Sequence, residues 1–215
     1  IRENSSNRAY HRYMSFDYCY GYFYKHHKNS EYFVLKDNIE KSCLHLGFYL
    51  ASWGMYRGST ELLKTSFKIY EPLIKQVIAK QKAHAWAIDV NNYEENKKIL
   101  VQLYNSISKV LKKSLKEDPT ETLVTKILLG VFGCVPAFDT NVKKGLRKAG
   151  ESHHKNFEKN IEAVEEVYKS YKKEIDKTSK EYKVLDFETG KPGKMHYTKA
   201  KIIDMILFEY GKKDK

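Results

Sequence analysis

Apolar residues recur along this chain with a helical period almost throughout. Between Tyr93 and Lys116, the residues Ile99, Leu100, Leu103, Ile107, Val110, Leu111 and Leu115 fall three and four apart, which predicts one long amphipathic helix. Near the start, Tyr10, Tyr13, Phe16, Tyr20, Phe23 and Tyr24 repeat the spacing with aromatic rings, and such a stripe predicts a helix face turned into the core. The run Leu44–Tyr56 is apolar on nearly every side and predicts the buried centre of the domain. It ends at Gly54 and Gly58, with Ser59 or Thr60 placed to cap the next helix. That helix is expected from about residue 60 to 88, interrupted at Pro72, with a turn at Asn91-Asn92.

Downstream, Asp118-Pro119 predicts a helix start, with Asp as cap and Pro at the first helical position. The helix Thr120–Val131 stops at Gly130-Val131-Phe132-Gly133, and Cys134–Phe138 reads as a non-helical turn. Asp139 opens a further helix to about Ala149, closed by Gly150. A charged helix from His153 to about Tyr182 turns Phe157, Ile161, Val164, Val167, Tyr171 and Ile175 inward. Residues 186–194 read as a loop, with room for one short hairpin near residues 184–197. A last helix, Thr198–Tyr210, buries Ile202, Ile203, Met205, Ile206 and Phe208. No strands alternate with these helices, so the expected fold is all-α, a single multi-helix domain over residues 1–215.

Composition agrees with that pattern. Hydrophobic residues make up 41% of the chain, enough for a sizeable core, and 4 Pro with 11 Gly are too few for a loop-rich all-β chain. Against 27 Asp and Glu stand 39 Lys and Arg, a formal +12 whose field attracts polyanions, DNA or RNA among them. The excess is mostly lysine, which serves equally as a solvated exterior. Three widely spaced cysteines, Cys19, Cys43 and Cys134, form no CxxC pair; they predict a reducing, cytoplasmic setting and no structural zinc. No apolar run is long enough to span a bilayer, and Ile1-Arg2-Glu3-Asn4 shows no signal-peptide pattern, so no membrane partner is expected.

The motifs of common catalytic classes are missing: GxGxxG, the phosphate-cradling GxxxxGK[ST] and HExxH. The adjacent pairs His26-His27 and His153-His154 point to different sides of a helix and chelate poorly, so no metal and no cofactor is expected.

The segment Leu123–Gly150 is the most informative. A helix stops at Phe132-Gly133, a short apolar turn contains Pro136, and Asp139-Thr140 then opens a basic helix. This resembles the helix-hairpin-helix DNA glycosylase superfamily, including its uncharacterised bacterial glycosylase-like relatives. The closing helix Ala200–Gly211 is similar to the last helix of such proteins, and Phe48–Gly58 to a stretch of uncharacterised bacterial proteins. The resemblance implies that Asp139 projects into a substrate cleft and supports cleavage of a base–sugar bond, a hydrolase role with Lys126 as the second catalytic candidate. One fixed carboxylate can stabilise the positive charge that develops on the sugar and orient water. Two departures limit what carries over. The Gly-x-Gly hairpin is missing upstream of residue 126, and Glu121 occupies the spacing at which the lyase branch places its lysine.

Two functions follow as expectations. In the first, the chain binds nucleic acid through Arg57, Lys143, Lys144 and Arg147, and a flipped base enters a pocket of Trp53, Tyr56 and Phe138. In the second, it is a non-catalytic helical module that meets a protein partner through its tyrosine-rich N-terminal face, in a bacterial defence or toxin system. Asp139 reads as a catalytic group in one and as a helix cap in the other. Asp204, set among apolar residues, reads as the partner of a buried cation or as a cleft carboxylate.

Overall fold

Ten consecutive buried residues, Leu123–Phe132, make the helix α5 (Glu121–Phe132) the centre around which the chain is wound. A computed structural model describes residues 8–58 and 60–212. They are 72% helical and only 4% strand, so the expected all-α class holds. The remaining helices among them are α1 (Ser15–His26), α2 (Ile39–Ser52), α3 (Glu71–Gln76), α4 (Tyr93–Leu115), α6 (Thr140–Lys148), α7 (Phe157–Ser170), α8 (Lys172–Glu181) and α9 (Lys199–Lys212). Two short antiparallel strands, β1 (Lys183–Leu185) and β2 (Pro192–His196), form the expected hairpin, with Lys183 opposite His196 and Leu185 opposite Pro192.

The aromatic stripe of α1 is core: Phe16, Tyr20 and Phe23 are all buried, while Tyr10 is exposed. In the first turn of the same helix, the buried Asp17 accepts hydrogen bonds from the Leu185 amide (2.7 Å) and the Tyr197 hydroxyl (2.6 Å), which pins the hairpin onto α1. The stripe of α4 is buried as its spacing predicts, and the helix ends at Lys116 in the left-handed region, φ 61°.

Several elements differ from the sequence expectation, and Tyr171 and Ile206, expected inward, are exposed. The all-round apolar helix α2 begins at Ile39, and its Leu44 and Phe48 face outward, so the buried centre is α5 instead. Residues 60–88 form no interrupted long helix. They make short 3-10 turns over Glu61–Lys64, Phe67–Tyr70, Ile78–Lys80 and Ala83–Ala87 around α3, with Pro72 in the first turn of α3, where its missing N–H costs nothing. Thr hydroxyls divide this stretch: that of Thr60 donates to Met55 O and that of Thr65 to Leu62 O, satisfying backbone that a helix would otherwise use. Asp118 is not the cap of α5. Thr120 is, accepting from the Leu123 amide, while Asp118 pairs with Lys112. The helix predicted from His153 to Tyr182 starts at the Asn156 cap and breaks at Tyr171 (φ −123°, ψ 29°) into α7 and α8.

Two further contacts set the position of the site. A β-carbon at Gly145 would run into the Leu207 carbonyl oxygen, and one at Gly211 into the Asn141 carbonyl oxygen, so α6 and α9 cross backbone to backbone. The N-terminus of α9 is in turn fixed by Asp89, whose carboxylate accepts from the Lys199 and Ala200 amides at 2.8 Å each.

Candidate active site

Lys126 lies on the central helix, 5% exposed. Its Nζ donates to the Trp53 carbonyl oxygen at 2.6 Å; the other two N–H groups donate to no described residue. Burial pushes its pKa down, and the carboxylates of Asp139 and Asp204 work against that shift.

Asp139 stands on the turn that precedes α6. Its Oδ1 accepts from the Asn141 (2.9 Å) and Val142 (3.0 Å) amides and so caps the helix. Its Oδ2 makes no hydrogen bond to any described residue. Burial raises the pKa of the half-buried carboxyl and Asp204 adds to that, while the cap bonds and Lys126 oppose it. The residue is therefore a cap and, with its second oxygen, an unspent acceptor.

The turn that presents it is held from three sides. The Ala137 amide donates to Asp204 Oδ1 (3.0 Å), the Phe138 amide donates to the Thr125 hydroxyl (3.0 Å), and the Thr122 hydroxyl donates to the Phe138 carbonyl (2.9 Å). Asp204 thus resolves as the partner of a buried cation, since its Oδ2 also accepts from Lys201 Nζ at 2.8 Å with both side chains almost fully buried. The Lys201 ammonium lies 4.6 Å from the Phe16 ring centre and 4.3 Å from that of Trp53, a cation–π contact on each.

Tyr49 closes the group. Its ring packs on the α5 backbone at Gly130 and lies 5.6 Å from Trp53. Its hydroxyl is the one buried side-chain oxygen or nitrogen among the described residues with no hydrogen-bond partner. Burial drives its pKa well above the ordinary tyrosine value, and Asp204, Cys19 and Asp139 add to the shift.

The predicted site residues divide. Lys126 and Trp53 meet through the bond to the Trp53 carbonyl, the charges of Lys126 and Asp139 act on one another, and the Trp53 indole N–H donates to the Ser15 hydroxyl at 3.1 Å. Arg57 is exposed beside them; its guanidinium folds over Gly54, and its charge reaches Lys126. Tyr56 turns elsewhere: its hydroxyl bonds that of Tyr70 (2.8 Å) and its ring meets Phe67 edge-on. Phe138 is completely buried against Phe157 and His153, so it is core and lines no open pocket. On α6, Lys144 and Arg147 are exposed, whereas Lys143 is tied to Glu121 at 2.8 Å. Glu121 also accepts from His153 (2.8 Å) and Asn160 (2.8 Å), so it forms a structural knot.

Sequence reasoning did not single out Tyr49 or Lys201. For Lys201 a signal existed, its three-residue spacing from Asp204; for Tyr49 there was none. An open surface groove lined by residues 27–31 and 79–83 contains none of these side chains. Among the described residues no group of three or more His, Cys, Asp or Glu could hold a metal ion, and no helix is long and apolar enough to cross a membrane. Comparison of the chain with protein-family models, curated proteins and solved structures finds no match.

Proposed function

We propose that the chain is a nucleic-acid-directed, glycosylase-like hydrolase whose reactive centre is Asp139 with Lys126. One observation carries the reading: Asp139 spends a single oxygen on capping α6 and keeps the other clear of protein donors, within electrostatic reach of the buried Lys126 amine. A cap needs only the first oxygen. An acceptor left free in the field of a desolvated lysine suits the stabilisation of positive charge on a sugar and the orientation of water. The exposed Lys144 and Arg147 on the helix that Asp139 opens, with Arg57 near Lys126, supply cations for phosphates.

The test is binding to labelled single-stranded DNA, duplex DNA and RNA over a salt series. Tight binding with a steep salt slope is expected, and the double variant Lys144→Ala/Arg147→Ala should flatten the slope by about 2. No binding at about 50 mM salt contradicts the reading, since phosphate contacts are strongest there.

A non-catalytic protein-binding module is the second reading. It is favoured by Leu44 and Phe48, four residues apart on α2 and 44% and 58% exposed. The stripe of α1 does not serve it, because Phe16, Tyr20 and Phe23 are core.

A further inference from the structure

The open groove between residues 27–31 and 79–83 has a volume of about 530 Å³ and is walled by two short segments of 3-10 turn and loop. Ser30 ties the walls together: its one hydroxyl donates to Ala79 O at 2.8 Å and to Gln81 O at 2.9 Å. The second wall is braced from behind, where the Gln81 side-chain amide donates to Val77 O at 2.9 Å. The groove lies at the C-terminal end of α5, since the His27 ring centre is 6.1 Å from that of Trp86, which bonds Val131 O. The turn that carries Asp139 is bound at Thr122, near the other end of that helix. Between Thr122 and Val131 an α-helix rises about 14 Å, so the groove is separate from the Asp139 centre.

Lys28, Lys80 and Lys82 line this groove and are exposed. Among the described residues none of their ammonium groups pairs with a carboxylate, although Glu31 stands three positions after Lys28. Elsewhere in the chain that spacing closes an ion pair, as in Lys64–Glu61, Lys169–Glu166 and Lys212–Glu209. A regular 3-10 turn would set Lys28 directly over Glu31. Asn29, between them, leaves the helical region (φ −132°, ψ 75°), and this kink holds the two side chains apart. The walls therefore gather three unneutralised cations against one carboxylate.

We propose that the groove binds a short phosphoanhydride chain, free or as the tail of a nucleotide. Lysine is a point cation without the planar fork of arginine, which suits the spread charge of linked phosphates. No Trp, Tyr or Phe lines the groove, so it presents no platform on which the bases of a nucleic-acid strand would stack. Its volume is that of a small-ligand site, and a few linked phosphates bring enough charge to meet all three lysines at once. The site does not depend on Asp139, and either can fail without the other.

The test is calorimetric titration of the whole chain at about 50 mM salt with tripolyphosphate, ATP, citrate and a single-stranded oligonucleotide. Tripolyphosphate and ATP should each bind at one site, and citrate about tenfold more weakly or not at all. Lys80→Ala/Lys82→Ala should weaken both phosphate ligands by about 10²-fold, tenfold for each charge-assisted bond lost. Lys172→Ala/Lys173→Ala removes the same charge from exposed positions of α8 and should change affinity by less than about twofold. Glu31→Gln should strengthen binding by about 2- to 3-fold, a gain that a misfolded variant would not give. Equal affinities for the two phosphate ligands assign the free chain as sufficient, and tighter ATP adds a contact to the nucleoside. The inference is overturned by absence of tripolyphosphate binding, by citrate binding as tightly, or by equal losses in the two double variants. Oligonucleotide binding through Lys80 and Lys82 without tripolyphosphate binding overturns it in favour of a strand-binding surface.

Discussion

Lys126 is an ammonium whose folded-state pKa lies below its unfolded value, so the unfolded chain holds the extra proton between the two. Stability from this group therefore rises as pH increases from its folded pKa towards about 10.5, the ordinary lysine value. Lys126→Met removes the buried charge and should match or exceed wild type at pH 7, with the advantage shrinking as pH rises; urea melts at pH 7, 8.5 and 10 would show it. A constant deficit across that range would mean that the bond to Trp53 O outweighs burial. His45 behaves in the same sense at lower pH. It stacks on Tyr22 with ring centres 4.2 Å apart, and burial lowers its pKa to about 4. The unfolded chain takes up this proton near pH 6.5, so stability from His45 is complete above that and is lost as pH falls towards 4, by at most about 3 kcal/mol. Histidine NMR titration should find His45 neutral at pH 5, and His45→Phe should flatten the acid limb of the stability profile between pH 6.5 and 4.

The elements show which physical signals were legible in the sequence. The helix α4 and the Phe16, Tyr20 and Phe23 part of the aromatic stripe are set by local period, whereas Tyr10 and Tyr13 fall in short 3-10 turns ahead of α1. The 60–88 stretch was not legible, because Thr hydroxyls took up backbone groups and its own Trp86 ties it to the central helix: Trp86 Nε1 donates to Val131 O at 2.8 Å. The break at Tyr171 and the outward Leu44 and Phe48 are likewise tertiary outcomes. At the candidate site, the Phe-Gly, Pro and Asp-Thr pattern drew attention to Asp139, whereas Lys126 lies off the spacing that pattern implies for a lysine. Tyr49 was not visible, since an orphaned hydroxyl exists only once the chain has packed. The crossing of α6 and α9 makes its own prediction. Gly145→Ala and Gly211→Ala each force a methyl into backbone that cannot yield, and each should cost about 3 kcal/mol or more and lower the melting temperature by about 6–12 °C. Gly150→Ala is a control for sterics: it lies in open space, although its φ of 90° carries strain of about 1–2 kcal/mol. Equal losses at all three positions would contradict the close crossing.

On the scale of the whole molecule, α5 carries the amine, the turn before α6 carries the carboxylate, and α9 braces that turn through Asp204. The formal +12 is spread over the chain, but Lys144, Arg147 and Arg57 are the exposed candidates near this centre, while Lys143 is committed to Glu121. The decisive measurement for an acting Asp139 is base release from oligonucleotide substrates by wild type and Asp139→Asn. Asparagine caps a helix as well as aspartate does, so the variant keeps α6 and loses only the charge on the unspent oxygen. Wild type is expected to release base, the variant to lose about 10²-fold or more, and the melting temperatures to lie within about 2 °C of one another. Release that survives Asp139→Asn unchanged, or that wild type does not perform on any base, would contradict it.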